Sequence, residues 1–234
     1  MKESKKIFIF GAGTAGREIL QLIYDINERT PIYGGEEAIF IEKRGQISNK
    51  DSSNTKYLKL PNHTSTHIDF PNHFSELGKT INDYPASFWK FQSIHIISYK
   101  AMNDEIINEG LIDAYDIPKD TNFLILHTGF GSHRELDIYW NNNPGLAPNL
   151  ANALKRKCPN IKVIGFDFIS VSSYQNRIIG REAHKAFLLE NDILLIEDMK
   201  LDKIKNKTIK EIIALPLLID KIDGSPITII ADCE

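Results

Sequence analysis

Short apolar runs rich in β-branched residues recur along this chain at 7–10, 38–41, 94–97, 123–126, 163–165, 193–196, 212–218 and 227–230. Each is too short for a helix and is flanked by polar or turn-forming residues, the pattern of buried strands. Between them, apolar positions at helical spacing predict helices over 101–109, 149–157 and 182–189. In the second of these, Asn149 follows Pro148, and Leu150, Ala153 and Leu154 share one face. Residues 43–59 are polar and without a period, which predicts a long hairpin or a mobile loop. Strands alternating with helices place the chain in the α/β class.

The amino terminus reads differently. The run at 7–10 leads into Gly11-Ala12-Gly13-Thr14-Ala15-Gly16 and then Arg17-Glu18-Ile19-Leu20. A glycine-rich turn between a strand and a helix can hold a pyrophosphate on backbone N–H groups. The stretch resembles the opening of the Rossmann-like half of sugar O-acyltransferases. A dinucleotide fold needs further strand–helix units, and none follows here. The expected organisation is therefore a strand-turn-helix appendage over 1–21 ahead of one domain over 22–234, with no cofactor assigned to the glycines. A nucleotide-sugar-binding protein is the alternative from another functional class.

The densest chemistry lies in His63-Thr64-Ser65-Thr66-His67-Ile68-Asp69-Phe70-Pro71-Asn72-His73. Imidazole and carboxylate groups hold divalent metals at neutral pH because their lone pairs are available at little proton cost. On a straight strand His63 and His67 would stand roughly 13 Å apart, too far to share an ion. On a helical turn they would be roughly 6 Å apart. Pro71 disfavours helical geometry at Phe70, so the chain is expected to turn through 63–67 and straighten near Asp69. Such a bend lets His63, His67 and Asp69 converge and leaves His73 nearby, outside the ligand set. A histidine-rich surface loop has the same composition, and spacing alone leaves that reading open.

The segment is similar to the signature H-x-G-T-H-x-D-x-P-x-H of the cyclase family of metal-dependent hydrolases, which includes kynurenine formamidases and isatin hydrolases. Ser65 stands where the family has glycine, a costlier residue if φ must be positive. Thr30-Pro31-Ile32-Tyr33-Gly34-Gly35, Leu126-His127-Thr128-Gly129-Phe130 with Arg134, and Pro144-Gly145-Leu146-Ala147-Pro148 resemble further landmarks, as do Gly165-Phe166-Asp167, Arg181-Glu182-Ala183-His184, Ile196-Glu197-Asp198 and Asp223-Gly224-Ser225-Pro226. The resemblance covers roughly 22–234 and implies a swivelling β/β/α architecture. It also implies one or two divalent ions, zinc or manganese, held by His63, His67, Asp69, His184 and Glu197, with Asp69 able to bridge. The metal-activated water would attack a C–N bond in a small amide, formamide or cyclic amide. His73 is then expected to be the proton shuttle. Tyr33 replaces the family's substrate-stacking tryptophan, Phe74 and Phe130 are expected to add apolar wall, and Arg134 is either the partner of a substrate carboxylate or a surface residue. Lactone hydrolysis and ring-closing dehydration use the same chemistry and are the nearest alternatives. A non-catalytic metal-binding protein is a further one.

Composition narrows the partners. A net charge of −3 over 234 residues gives no basic field for nucleic acid. Cys158 and Cys233 are too few for a disulfide framework. No apolar run reaches the ~20 residues of a membrane span. The apolar run at 7–10 is broken by Gly11, Gly13 and Arg17-Glu18, which argues against export. The expectation is a cytoplasmic enzyme acting on a small molecule, assembled as a homodimer or higher homo-oligomer through segments such as 43–59.

Overall fold

The computed structural model describes residues 17–234. The predicted strand over 7–10 and the glycine-rich turn after it lie outside the described residues. In chain order the strands are β1 (Glu18–Gln21), β2 (Phe40–Gly45), β3 (Thr55–Lys59), β4 (His67–Asp69), β5 (Lys90–Phe91), β6 (Ile94–Ser98) and β7 (Ile106–Ile107). They continue as β8 (Phe123–His127), β9 (Gly145–Leu146), β10 (Val163–Phe166), β11 (Leu194–Glu197), β12 (Ile209–Pro216) and β13 (Gly224–Cys233). The α-helices are α1 (Gly110–Ala114), α2 (Ile138–Asn141), α3 (Pro148–Lys157) and α4 (Arg177–Lys185).

Nine strands form one mixed sheet in the order β5-β12-β13-β4-β11-β10-β8-β6, with β1 attached to β13. β6, β8, β10 and β11 run parallel. Parallel strands covered on both faces are apolar at nearly every position, and Phe123-Leu124-Ile125-Leu126 and Leu194-Leu195-Ile196 are all buried. α3 turns Leu150, Ala151, Ala153 and Leu154 inward and packs beside α4. The pivotal element is β4, inserted antiparallel between β11 and β13. It sits in the middle of the sheet although it is only three residues long.

Most predicted strands and the helix over 149–157 appear within a residue or three of the expected positions. Three segments differ. Where residues 17–20 are expected to open a helix, Glu18–Gln21 is instead the strand β1, which pairs antiparallel with β13 and buries Leu20. The edge offered by β13 overrides the local helical pattern. Residues 101–109 form no helix. Asp104 has φ of +57°, Glu105 accepts the Met102 N–H, and Ile106–Ile107 pairs with β9. The third helix begins at Arg177, and its end passes into a π-helical turn over Ala186–Glu190. The polar stretch 43–59 belongs to the β2–β3 hairpin. Among the described residues, no helix is long and apolar enough to cross a membrane.

Candidate metal centre

On β4, His67 and Asp69 are two residues apart and so project to one face, while Ile68 enters the core on the other. Glu197, the last residue of β11, lies directly opposite His67 in the ladder. Cross-strand neighbours approach closely, and the His67 Nε2–Glu197 Oε2 distance is 3.4 Å. His184 reaches the same point from α4, with its Nε2 3.6 Å from Asp69 Oδ2 and 3.7 Å from Glu197 Oε1. His67, Asp69, His184 and Glu197 are all buried.

Two details show how the histidines are aimed. The His67 Nδ1 lies 2.8 Å from the Ser65 carbonyl and the His184 Nδ1 lies 2.8 Å from the Gly180 carbonyl. A carbonyl only accepts, so each Nδ1 carries a proton and donates it, which directs each Nε2 toward the carboxylates. This is the outer arrangement that orients metal-binding imidazoles. The separations of 3.4 to 3.7 Å are long for hydrogen bonds. They match the ~3.4 Å edge between donors each ~2.1 Å from a tetrahedral ion. The donor set fits a divalent cation.

The bend before β4 follows from Ser65, whose φ of +57° is left-handed. It brings His63 back so that its Nδ1 lies 2.8 Å from Asp69 Oδ1 and its Nε2 3.0 Å from Asp223 Oδ2. His73 sits on the 3-10 turn Pro71–His73, with its Nδ1 3.0 Å from the same Asp223 oxygen. Two donor groups result, His67–Asp69–Glu197 and His63–Asp69–His73, and Asp69 belongs to both. His73, expected to stand outside the ligand set, therefore lies within ligand distance of His63 and Asp69.

Buried carboxylates set the electrostatics of the histidines. Burial opposes protonation of His63, yet Asp69 and Asp223 raise its pKa to about 10. Burial likewise opposes charge on His184, and Asp69 and Glu197 raise it to about 9. His67 is raised against burial by Glu197 and Asp69. Burial would lift Asp69, but the histidines around it hold it well below the usual carboxylate range. His73 behaves oppositely. Its burial, with His63 and His184 beside it, outweighs the pull of Asp69 and lowers its pKa, so it is neutral at neutral pH.

These groups form one side of a pocket of about 360 Å³, which Tyr33, Phe74, Arg177 and Arg181 also line. Phe74 stacks on His184, with ring centroids 4.5 Å apart. The structure does not bring Phe130 and Arg134 to this pocket. Phe130 is buried against Tyr139. Arg134 is buried too, with its Nε 2.9 Å from Asp198 Oδ1 and its Nη2 2.8 Å from Oδ2. Its Nη2 also donates to Ser65 Oγ at 3.2 Å. Its guanidinium is thus already matched, and it ties the turn before β4 to the residue after Glu197. His127 lies near Asp167 at 3.9 Å and does not line the pocket.

Sequence reasoning missed Asp223, Arg177 and Arg181. Asp223 was legible only as part of Asp223-Gly224-Ser225-Pro226, a stretch similar to a family landmark, with no role attached. Its neighbour Gly224 leaves room for the His63 ring, since a Cβ there would stand 2.2 Å from it. Arg181 carried a usable signal, since it precedes His184 by one helical turn and must share its face.

The profile of the family described as "Putative cyclase" matches residues 20–173, more than half of the chain. The chain belongs to the cyclase family. It is 28% identical over 228 residues to cyclase-like protein 2 of Arabidopsis thaliana, covering 88% of this chain and 77% of that one. It is 28% identical over 210 residues to a kynurenine formamidase of Bacillus cereus, covering 90% of this chain and 95% of the relative. The fold matches the crystal structure of an isatin hydrolase bound to the product analogue thioisatinate, with a TM-score of 0.78, 19% identity and 92% of each chain covered. The family match ends at Phe166-Asp167 plus six residues, at 173, so His184 and Glu197 join the cyclase-family segment through the fold.

Proposed function

We propose that this cyclase-family protein hydrolyses the C–N bond of a small amide, formamide or cyclic amide. The observation that carries the reading is the pair of histidines, His67 and His184, whose Nδ1 atoms are fixed on carbonyls and whose Nε2 atoms converge on Asp69 and Glu197. Similarity to kynurenine formamidases supports a carbon–nitrogen bond as the target.

His63, His67, Asp69, His184 and Glu197 would hold zinc or manganese. His67, Asp69, His184 and Glu197 converge and support one ion, and a second would rest on His63 with Asp69 as the shared donor. Held by these residues, a divalent ion would lower the pKa of a bound water and polarise the scissile carbonyl. His73, neutral and partly exposed at the pocket, donates its Nδ1–H to Asp223, which leaves Nε2 as a base that would take a proton from the attacking water and then hand it to the departing nitrogen. Asp223 is a positioning residue for both His63 and His73. Tyr33 and Phe74 supply the walls for a small, partly apolar substrate. The assembly is a homodimer or higher homo-oligomer, supported by the β2–β3 hairpin, which exposes Phe40, Tyr57 and Leu58.

The test is a screen of formamides, cyclic amides and lactones with the metal-loaded protein. Metal-dependent release of acid from an amide is the expected result. Turnover of lactones alone would replace this reading with the ester-hydrolysing one.

A further inference from the structure

Two arginines face the pocket with no established task. Arg177, Arg181 and His184 are spaced by four and three residues on α4, so they form one stripe along the helix. At ~1.5 Å of rise per residue, Arg181 lies ~4.5 Å and Arg177 ~10.5 Å along the axis from His184. Both line the pocket that contains the donor set, and both are exposed.

Their charge is unmatched there. Asp198 is taken by Arg134, and Asp223 is shared by His63 and His73. Asp69 and Glu197 face the histidines, and Glu182 pairs with Lys185. Among the described residues, neither Arg177 nor Arg181 forms an ion pair. Arg177 is nonetheless held in place. Its guanidinium lies 3.9 Å over the Tyr174 ring, and Tyr174 in turn packs edge-on against Tyr33 and Trp140. Stacking occupies the guanidinium face, part of its N–H edge lies against the Tyr33 hydroxyl, and the remaining N–H groups can meet a planar anion.

We propose that Arg177 and Arg181 form an anion-recognising rim, and that the substrate is a small amide carrying a carboxylate roughly 5–10 Å from the scissile bond. The inference rests on the hydrolase reading for the word "amide" and on the geometry of α4 alone for the carboxylate. The carboxylate meets the guanidinium edges while the amide carbonyl lies at the donor set beside His184 and His73. Charge-assisted bidentate pairing of this kind is what arginine forks provide.

The experiment compares 4-formamidobutanoate with its methyl ester on the metal-loaded full chain, measuring both turnover and calorimetric binding. Wild type should favour the acid at least about tenfold in kcat/KM, expressed chiefly in KM. Arg181→Gln and Arg177→Gln should each bring the acid-to-ester ratio close to one, and Arg181→Lys should restore part of it. Both side chains are exposed, so the variants should melt close to wild type. If neither compound is turned over but the acid still binds more tightly and loses that preference in Arg181→Gln, the anion rim stands and the hydrolase reading falls. Equal handling of acid and ester overturns the rim. So does a preference for the acid that survives both substitutions and vanishes when the metal is stripped, because the carboxylate would then be meeting the ion.

Discussion

Removing the divalent ion should leave a protein whose stability falls as pH rises, the reverse of the loaded form. Without the ion, the buried charges of Asp69 and Glu197 are answered by protonated histidines. His184, with burial against it and Asp69 and Glu197 in its favour, has a pKa raised from 6.5 to about 9. A group raised on folding contributes fully below its unfolded value near 6.5, and that contribution is lost as pH climbs through its folded value. For His184 the difference corresponds to about 3 kcal/mol, or ~6–12 °C in Tm for a chain of this length. His63, raised to about 10, acts in the same direction and shares Asp69, so the two do not add in full. The metal-free protein should therefore lose melting temperature steadily between pH 7 and 10. In the loaded protein the ligands must shed their protons to bind, so affinity and melting temperature should rise with pH over the lower part of that range. Calorimetric melts of chelator-treated and zinc- or manganese-reloaded protein at half-unit steps decide the matter. A flat metal-free curve, or two curves running parallel, would refute the argument that the histidines stand in for the ion.

Four further outcomes are expected. His73→Ala should keep its metal and lose about 10²–10⁴-fold in turnover, whereas His67→Ala should lose metal and turnover together. Elemental analysis beside kinetics separates them, and metal loss in the His73 variant would make His73 a ligand. Asp223→Asn keeps a hydrogen-bonding group against His63 and His73 but removes the charge, and should cost about 10–100-fold in activity or metal affinity, with full activity counting against its positioning role. Gly224→Ala places a Cβ 2.2 Å from the His63 ring and should destabilise by about 1–3 kcal/mol in a denaturant titration; wild-type stability would mean the ring can yield. Light scattering at micromolar concentration should report a dimer or larger, and a clean monomer would remove the hairpin as an assembly arm.

The sequence made the donors legible because they are chemically rare together and closely spaced. His63, His67 and Asp69 come from one bend, and the positive φ at Ser65 is the cost foreseen from its replacement of glycine. The parallel strands were legible from unbroken apolar runs. Long-range pairing was not. Glu18–Gln21 became a strand because β13 offered it an edge, and nothing within four residues announces a partner more than two hundred positions away. Arg134 looked free because its acid, Asp198, is 64 residues distant. Asp223 lies 150 residues from His73, so its contact with both histidines was invisible for the same reason.

The position of β4 separates two kinds of heredity. His67, Asp69 and Glu197 stand on central strands whose other faces are core, and His184 stands on the buried side of α4, so altering them disturbs folding and chemistry at once. The rim arginines and Tyr33 stand on an exposed helix face and a surface segment, where replacement leaves the sheet intact. Descendants of this chain can exchange one substrate for another by rewriting the exposed positions of α4 while keeping His184 and the rest of the reactive centre unchanged. A family with widely different substrates and low overall identity is the expected product of that division.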